Sequence, residues 1–247
     1  MCSSDLRKFR RSFFRTLVFR LTRAKMVVIS RTLQTIASAE WHIRERQLVY
    51  IPNGVSVDHC QTGIASKTLK KTGLVVGTVC GLRPEKRVDR IVDAFALLTD
   101  QFPDLELWIV GEGSERKRLE LLVESKSLTH KVQFIGHLSE PFGVMRQFDV
   151  FCLTSDTEQA PLSLLEAMAL GLPCVATSVG DVPNMVSKEN KPFLCQLSAQ
   201  SVASALEAML QDRNAMQLIG MANRAAYLDQ FQFAESSSKW MKVFSEK

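Results

Sequence analysis

The chain has 247 residues, 31 of them Lys or Arg and 26 Asp or Glu, with a formal net charge of +5 and 46% apolar residues. That is ordinary globular composition, and a mean hydropathy of +0.00 argues against both a disordered chain and an integral membrane protein. No apolar run approaches the roughly 20 residues that span a bilayer.

The charge is uneven. Arg7, Lys8, Arg10, Arg11, Arg15, Arg20, Arg23 and Lys25 oppose only Asp5 in the first 25 residues, which leaves −2 for the remainder. The basic character is local, so the isoelectric point implies no nucleic-acid surface. Cys2-Ser3-Ser4-Asp5-Leu6 is what TGC TCT TCC GAT CT encodes, a string matching a common sequencing-adapter end. The expectation is that residues 2–6 are a library artefact and the natural gene begins upstream; the alternative is a chance polar tail. No continuous apolar region follows the basic residues, so no secretory signal is expected.

Phe9, Phe13, Phe14, Leu17, Val18 and Leu21 recur at helical spacing between arginines and predict a basic amphipathic helix ending near Thr22. MVVIS (26–30) reads as a buried strand, Thr32 to Ala39 as a helix, and LVYI (48–51) as a second strand closed by the turn Pro52-Asn53-Gly54. Residues 57–72 read as a linker. From residue 73 onward, apolar runs alternate with amphipathic ones: LVVGTVC, VDRIVDAFALLT, LELWIV, ERKRLELLVES, VQFIG, PFGVMRQF, DVFCLTS, LSLLEAMAL, PCVAT, DVPNMV and KPFLC. Strands apolar throughout, each followed by a helix, predict an α/β fold with a doubly wound parallel sheet covered on both faces. Further helices are expected over 198–230, then a Trp-containing segment. Six cysteines at 2, 60, 80, 152, 174 and 195 form no CxxC pair and read as buried reduced thiols of a cytoplasmic protein.

In such a sheet, ligands bind at the carboxyl ends of the strands, where helix N-termini present unpaired N–H groups. The loop CGLRPEKRVDR places Arg83, Lys86 and Arg87 beside Gly81 and Pro84. Those cations suit a diphosphate, and a solvated basic turn is the alternative. In GEGSERKRL (111–119), Ser114 is the expected N-cap; the Gly111 and Gly113 pair is as compatible with a tight β-to-α turn as with a phosphate cradle. The stretch 154–183 is the most informative. Glu158 falls at a strand end and Glu166 two turns into the next helix, and Pro161 reads as an early helix residue. Amides of Leu162 and Ser163 would then point at the strand mouth, and an acid there accepts hydrogen bonds from sugar or ribose hydroxyls.

Glu158-x7-Glu166 within EQAPLSLLEAMALGLPCVAT, together with IPNGV (51–55), RPEK (83–86), VGEG (110–113) and VQFIG (132–136), resembles the retaining glycosyltransferases of family 4, which have the GT-B fold. The resemblance implies a nucleotide-sugar donor domain over 73–230, a remnant of the N-terminal acceptor domain over 1–56, and a C-terminal helix over 231–247 crossing back to that remnant. It implies that Glu166 binds the ribose and Glu158 the donor sugar. It also implies that Lys86 neutralises the diphosphate, that Ile135, Gly136 and His137 meet the base, and that Leu162 and Ser163 donate N–H groups to phosphate. Arg83 and Gly113 complete the expected donor site. The implied donor is a UDP- or GDP-sugar, the acceptor a lipid-linked or polysaccharide glycan, with no metal or cofactor. Residues 7–25 are the expected peripheral membrane contact, at the inner face of the cell membrane. Two departures stand out: the family's diphosphate Arg aligns with Gly81, for which Arg83 is the candidate substitute, and the Glu-Gly that opens the family's motif is Glu158-Gln159 here. His42, His59, His130 and His137 do not align with the family's N-domain catalytic His. The alternatives are a nucleotide-sugar binding module without turnover and a GT-B nucleotide-sugar epimerase.

Overall fold

In a computed structural model, the chain is described for Thr16, Val18, Phe19, Leu21, Thr22, residues 24–56 and residues 71–245. The strands β1 (Met26–Val28) and β2 (Leu48–Tyr50) pair in parallel, joined by helix α1 (Arg31–Ala39). Ser30 starts that helix one residue before the expected position, its side chain accepting from the Leu33 amide at 3.0 Å. Most of the expected basic helix lies outside the described residues, as do the residues of the adapter-like pentapeptide; Thr16, Val18, Phe19 and Leu21 are helical. The end of that helix is fastened by the buried Gln47, whose Nε2 donates to the carbonyls of Phe19 (2.7 Å), Thr22 (3.2 Å) and Ala24 (3.1 Å).

Six parallel strands form the main sheet: β3 (Val75–Val79), β4 (Glu106–Val110), β5 (Val132–Gly136), β6 (Val150–Leu153), β7 (Cys174–Thr177) and β8 (Leu194–Cys195). They lie in the order β5-β4-β3-β6-β7-β8. Successive residues of one strand feed opposite cores, which is why the runs are apolar throughout rather than alternating. Val76, Leu107, Ile109, Cys152 and Val175 pack under α2 (Val88–Ala96), α3 (Arg116–Ser125) and α7 (Ala199–Leu210). Val75, Trp108, Val110, Phe151, Cys174 and Ala176 pack under α4 (Phe142–Met145), α5 (Leu162–Ala169) and α6 (Val182–Met185).

Helix α8 (Arg213–Gln230) spans both cores, and α9 (Phe233–Ser245) begins against the turn after β2. There the Val55 amide donates to the Phe231 carbonyl (3.1 Å), the Tyr227 hydroxyl to the Val55 carbonyl (2.6 Å), and Ser236 Oγ to the Pro52 carbonyl (2.8 Å). Among the described residues, no helix is long and apolar enough to cross a membrane. Cys152, Cys174 and Cys195 are buried, and burial pushes the half-buried Cys80 thiol up to about 11.

Two local expectations change. The strand read from KPFLC shrinks to Leu194–Cys195 after a 3-10 turn over Lys191–Phe193. The reason is Asn190, whose Oδ1 accepts from the Cys174 amide (2.9 Å) and whose Nδ2 donates to the Cys174 carbonyl (2.7 Å), so a side-chain amide pairs with β7 where a longer β8 would. Ser114 does not cap α3; Glu115 occupies the N-cap position, without a side-chain cap.

Candidate functional site

The strand order reverses between β3 and β6, and the loops at their carboxyl ends meet there. After β3, Pro84–Lys86 forms a 3-10 turn ended by Arg87, whose φ of 49° is left-handed. That turn aims Lys86 at the β6 loop. Lys86 Nζ lies 2.6 Å from Glu158 Oε1, the two side chains being 16% and 8% exposed. Ser155 Oγ donates to the same carboxylate oxygen at 2.6 Å. A largely desolvated cation and anion are thus held together at the strand mouth, in a setting where charge interactions are stronger than in bulk water.

Arg83 is not part of this pair: its Nε lies 3.0 Å from Glu85 Oε1 with the side chain 61% exposed. It nevertheless lies over Gly81, since a Cβ built on that glycine would be 3.6 Å from the Arg83 Nε. Gly113 serves close packing, because a Cβ there would fall 2.2 Å from the Leu82 carbonyl oxygen. The two loops are tied at this approach by Leu82 N to Glu112 O (2.9 Å) and Glu115 N to Leu82 O (3.0 Å). Ile135 and Gly136 end β5, Gly136 at φ +87°, and His137 is exposed just beyond.

Helix α5 starts at Leu162, with Pro161 in the capping position rather than inside the helix. As first-turn residues, Leu162 and Ser163 have amides with no intrahelical acceptor. Leu162 is exposed and Ser163 half-buried. One helical turn on, Glu166 is half-buried, and burial, followed by the nearby Glu140 carboxylate, raises its pKa above the ordinary 4.5. Glu158 and Glu166 therefore have separate environments: the first is matched by Lys86 and Ser155, the second faces another acid.

Sequence reasoning missed Asp181. Its buried carboxylate accepts from the amides of Arg31 and Thr32, both at 2.9 Å, from Thr32 Oγ1 at 3.0 Å and from Asn184 Nδ2 at 2.8 Å. Asp181 thus caps α1 from a loop 150 residues later. Between these elements lies a cleft of about 390 Å³ lined by Thr32, Leu33, Ile36, Thr157, Glu158 and Gly180, among others. The signal was the Asp of the GDVP sequence, which reads locally as the start of its own short helix.

This is a Rossmann-like α/β domain with a charged pair in the loops where the strand order reverses, the second of those loops leading into α5. The sequence model of the glycosyl transferases group 1 matches residues 62–226, about two thirds of the chain, and the chain belongs to that family. It is similar to the N-acetyl-alpha-D-glucosaminyl L-malate synthase of Bacillus anthracis, 29% identical over 167 residues, covering 67% of this chain and 44% of that protein. It is also similar to the O-antigen biosynthesis glycosyltransferase WclY of Escherichia coli, 26% identical over 160 residues, covering 63% and 43% of the two chains. The chain thus spans about half the length of these curated relatives. Among solved structures, Anabaena Alr3699/HepE in complex with UDP superposes with a TM-score of 0.78 at 21% identity, covering 91% of this chain and 64% of that one. The doubly wound GT-B domain expected from the sequence is the fold observed.

Proposed function

We propose that the chain carries the donor half of a retaining family 4 glycosyltransferase that moves a sugar from a nucleotide-diphosphate sugar to a lipid-linked or polysaccharide acceptor. The observation that carries this reading is the largely buried Lys86–Glu158 pair between the loops that follow β3 and β6, the second of which leads into α5 at Leu162. When the bond between the anomeric carbon and the diphosphate breaks, negative charge grows on the departing phosphate. In this reading, Lys86, Arg83 and the Leu162 and Ser163 amides meet that charge and no metal is required. Glu158 then contacts the donor sugar and Glu166 the ribose, while the segment Ile135, Gly136 and His137 borders the base and Gly113 lets its loop close on Leu82 at the donor site. A UDP- or GDP-sugar fits this division of labour, and HepE, a structural neighbour, is described in complex with UDP and with UDP-glucose. The same reading takes the chain as a piece of a longer enzyme acting on the cytoplasmic side of the membrane, with residues 7–25 resting on anionic lipid.

Glu166 supplies the test. An ionised carboxylate accepts hydrogen bonds from both ribose hydroxyls, whereas the neutral acid gives up one acceptor position to its own proton. Because its pKa in the nucleotide-free folded chain is raised above 4.5 and the ribose favours the ionised form, affinity for the nucleoside diphosphate rises with pH up to that raised value and levels off above it. Stability without nucleotide moves the opposite way, since a buried acid with a raised pKa binds its proton more tightly folded than unfolded and costs stability as it ionises. Calorimetric titrations across the acidic range check the first sign, and thermal melts without nucleotide check the second. Glu166→Gln should lose the rise and leave only the titration of the diphosphate itself; an unchanged pH profile in that variant refutes the ribose assignment.

A further inference from the structure

We propose that Asp156, held by the buried Arg90, is a positioning residue that sets Lys86 for the diphosphate; this rests on the donor-site reading of Lys86. Helix α2 buries Val88, Ile91, Val92 and Phe95, and amid this apolar face Arg90 is only 4% exposed. A guanidinium is buried in this way only when its donors are matched. Here Nη1 donates to the Thr154 carbonyl and Nη2 to Asp156 Oδ1, both at 2.6 Å.

Asp156 in turn joins the two loops of the site. Its amide donates to the Glu85 carbonyl at 2.9 Å, and its Oδ2 receives Arg87 Nη1 at 3.2 Å. Thr154 adds a third link, its Oγ1 donating to the Arg87 carbonyl at 2.8 Å. Glu85 and Arg87 flank Lys86, and Asp156 lies two residues before Glu158. The Asp156 amide and the Thr154 hydroxyl thus grip the backbone on both sides of Lys86, and the Asp156 carboxylate, bonded to Arg90 and Arg87, anchors the loop that supplies those grips. The left-handed Arg87, whose guanidinium also bonds the Asp89 carboxylate (3.1 Å), directs the chain out of the Lys86 turn into α2. Asp156 lines the same cleft as Glu158 without bonding either member of the Lys86–Glu158 pair, so the double variant below decides whether its effect on a ligand passes through Lys86.

The test is calorimetric titration of the 247-residue chain with UDP and UMP, with GDP and GMP in parallel. It uses wild type, Asp156→Ala, Lys86→Ala and the double variant, each with a thermal melt. Asp156→Ala should weaken diphosphate binding about tenfold while leaving monophosphate binding within about twofold, because only the diphosphate reaches Lys86. The double variant should bind the diphosphate no more weakly than Lys86→Ala alone, the signature of two residues acting as one unit. The isosteric Asp156→Asn keeps an acceptor for Arg90 and should lose only about threefold, which preserves the test if the alanine variant does not fold. Unchanged diphosphate binding in both Asp156 variants overturns the proposal. So do losses that multiply in the double variant, or a parallel fall in UDP binding, UMP binding and melting temperature. A wild-type chain that binds none of the four nucleotides overturns the donor-site reading itself, and this proposal with it.

Discussion

Gly180→Ala is expected to abolish nucleotide binding and lower stability by about 2–5 kcal/mol, the sum of left-handed strain and a steric clash. Gly180 sits at φ +54°, and a Cβ there would lie only 1.8 Å from the Glu158 carbonyl oxygen. Neither side can yield cheaply, since both are backbone. The Gly180 carbonyl accepts from Thr32 Oγ1 at 2.9 Å, and the next amide, that of Asp181, donates to the Gln159 carbonyl at 3.1 Å. An added methyl group must push the loop that carries Glu158 or the one that carries Asp181, so it disturbs the charged pair and the α1 cap together. Gly171→Ala is the control: its φ of +75° imposes comparable conformational strain, while the nearest atom to its Cβ is 3.7 Å away. Thermal melts and nucleotide titrations of both variants separate strain from clash. Equal behaviour of the two would contradict the close approach at Glu158.

Asn190→Ala should cost about 4 kcal/mol, because it orphans a buried donor and a buried acceptor and leaves a cavity. Asn190 is fully buried and completes both hydrogen bonds of Cys174; its Oδ1 also accepts from Asn223 Nδ2 at 2.8 Å. Asn223 continues the network to the Leu172 carbonyl (3.0 Å) and the Ser187 amide (3.1 Å). The fully buried β7 has this network where a longer β8 would pair. Chemical denaturation gives the free-energy change directly, and a loss below about 1 kcal/mol would show that water replaces the amide.

The sheet was legible because its strands are buried on both faces, and such strands announce themselves as unbroken apolar runs such as LELWIV and VFCL. Lys86 and Glu158 were legible for a related reason: loops at the carboxyl ends of those strands are where a charged residue has a ligand to meet, and the structure places the two in contact. What stayed hidden was polar and long-range. Asn190 lies in the run SKENKP, which has the composition of an exposed turn, yet it is fully buried. Arg90 occupies a helix position at which periodicity alone cannot say that a guanidinium is buried, because its partners, Thr154 and Asp156, are more than sixty residues away. Asp181 looked like the start of a short helix and instead caps α1. In each case, the deciding partner is brought in by tertiary packing, and no local pattern encodes it. Arg83 is a subtler case: its charge was apparent, but its pairing with Glu85 and its position over Gly81 were not.

The measurement that bears most directly on the donor-half reading is a calorimetric titration of the 247-residue chain with UDP, GDP and ADP, alongside a thermal melt of the same sample. Saturable one-to-one binding of UDP or GDP is expected, weakened by Lys86→Ala and by Glu166→Ala. A chain that melts cooperatively yet binds none of the three would contradict that reading.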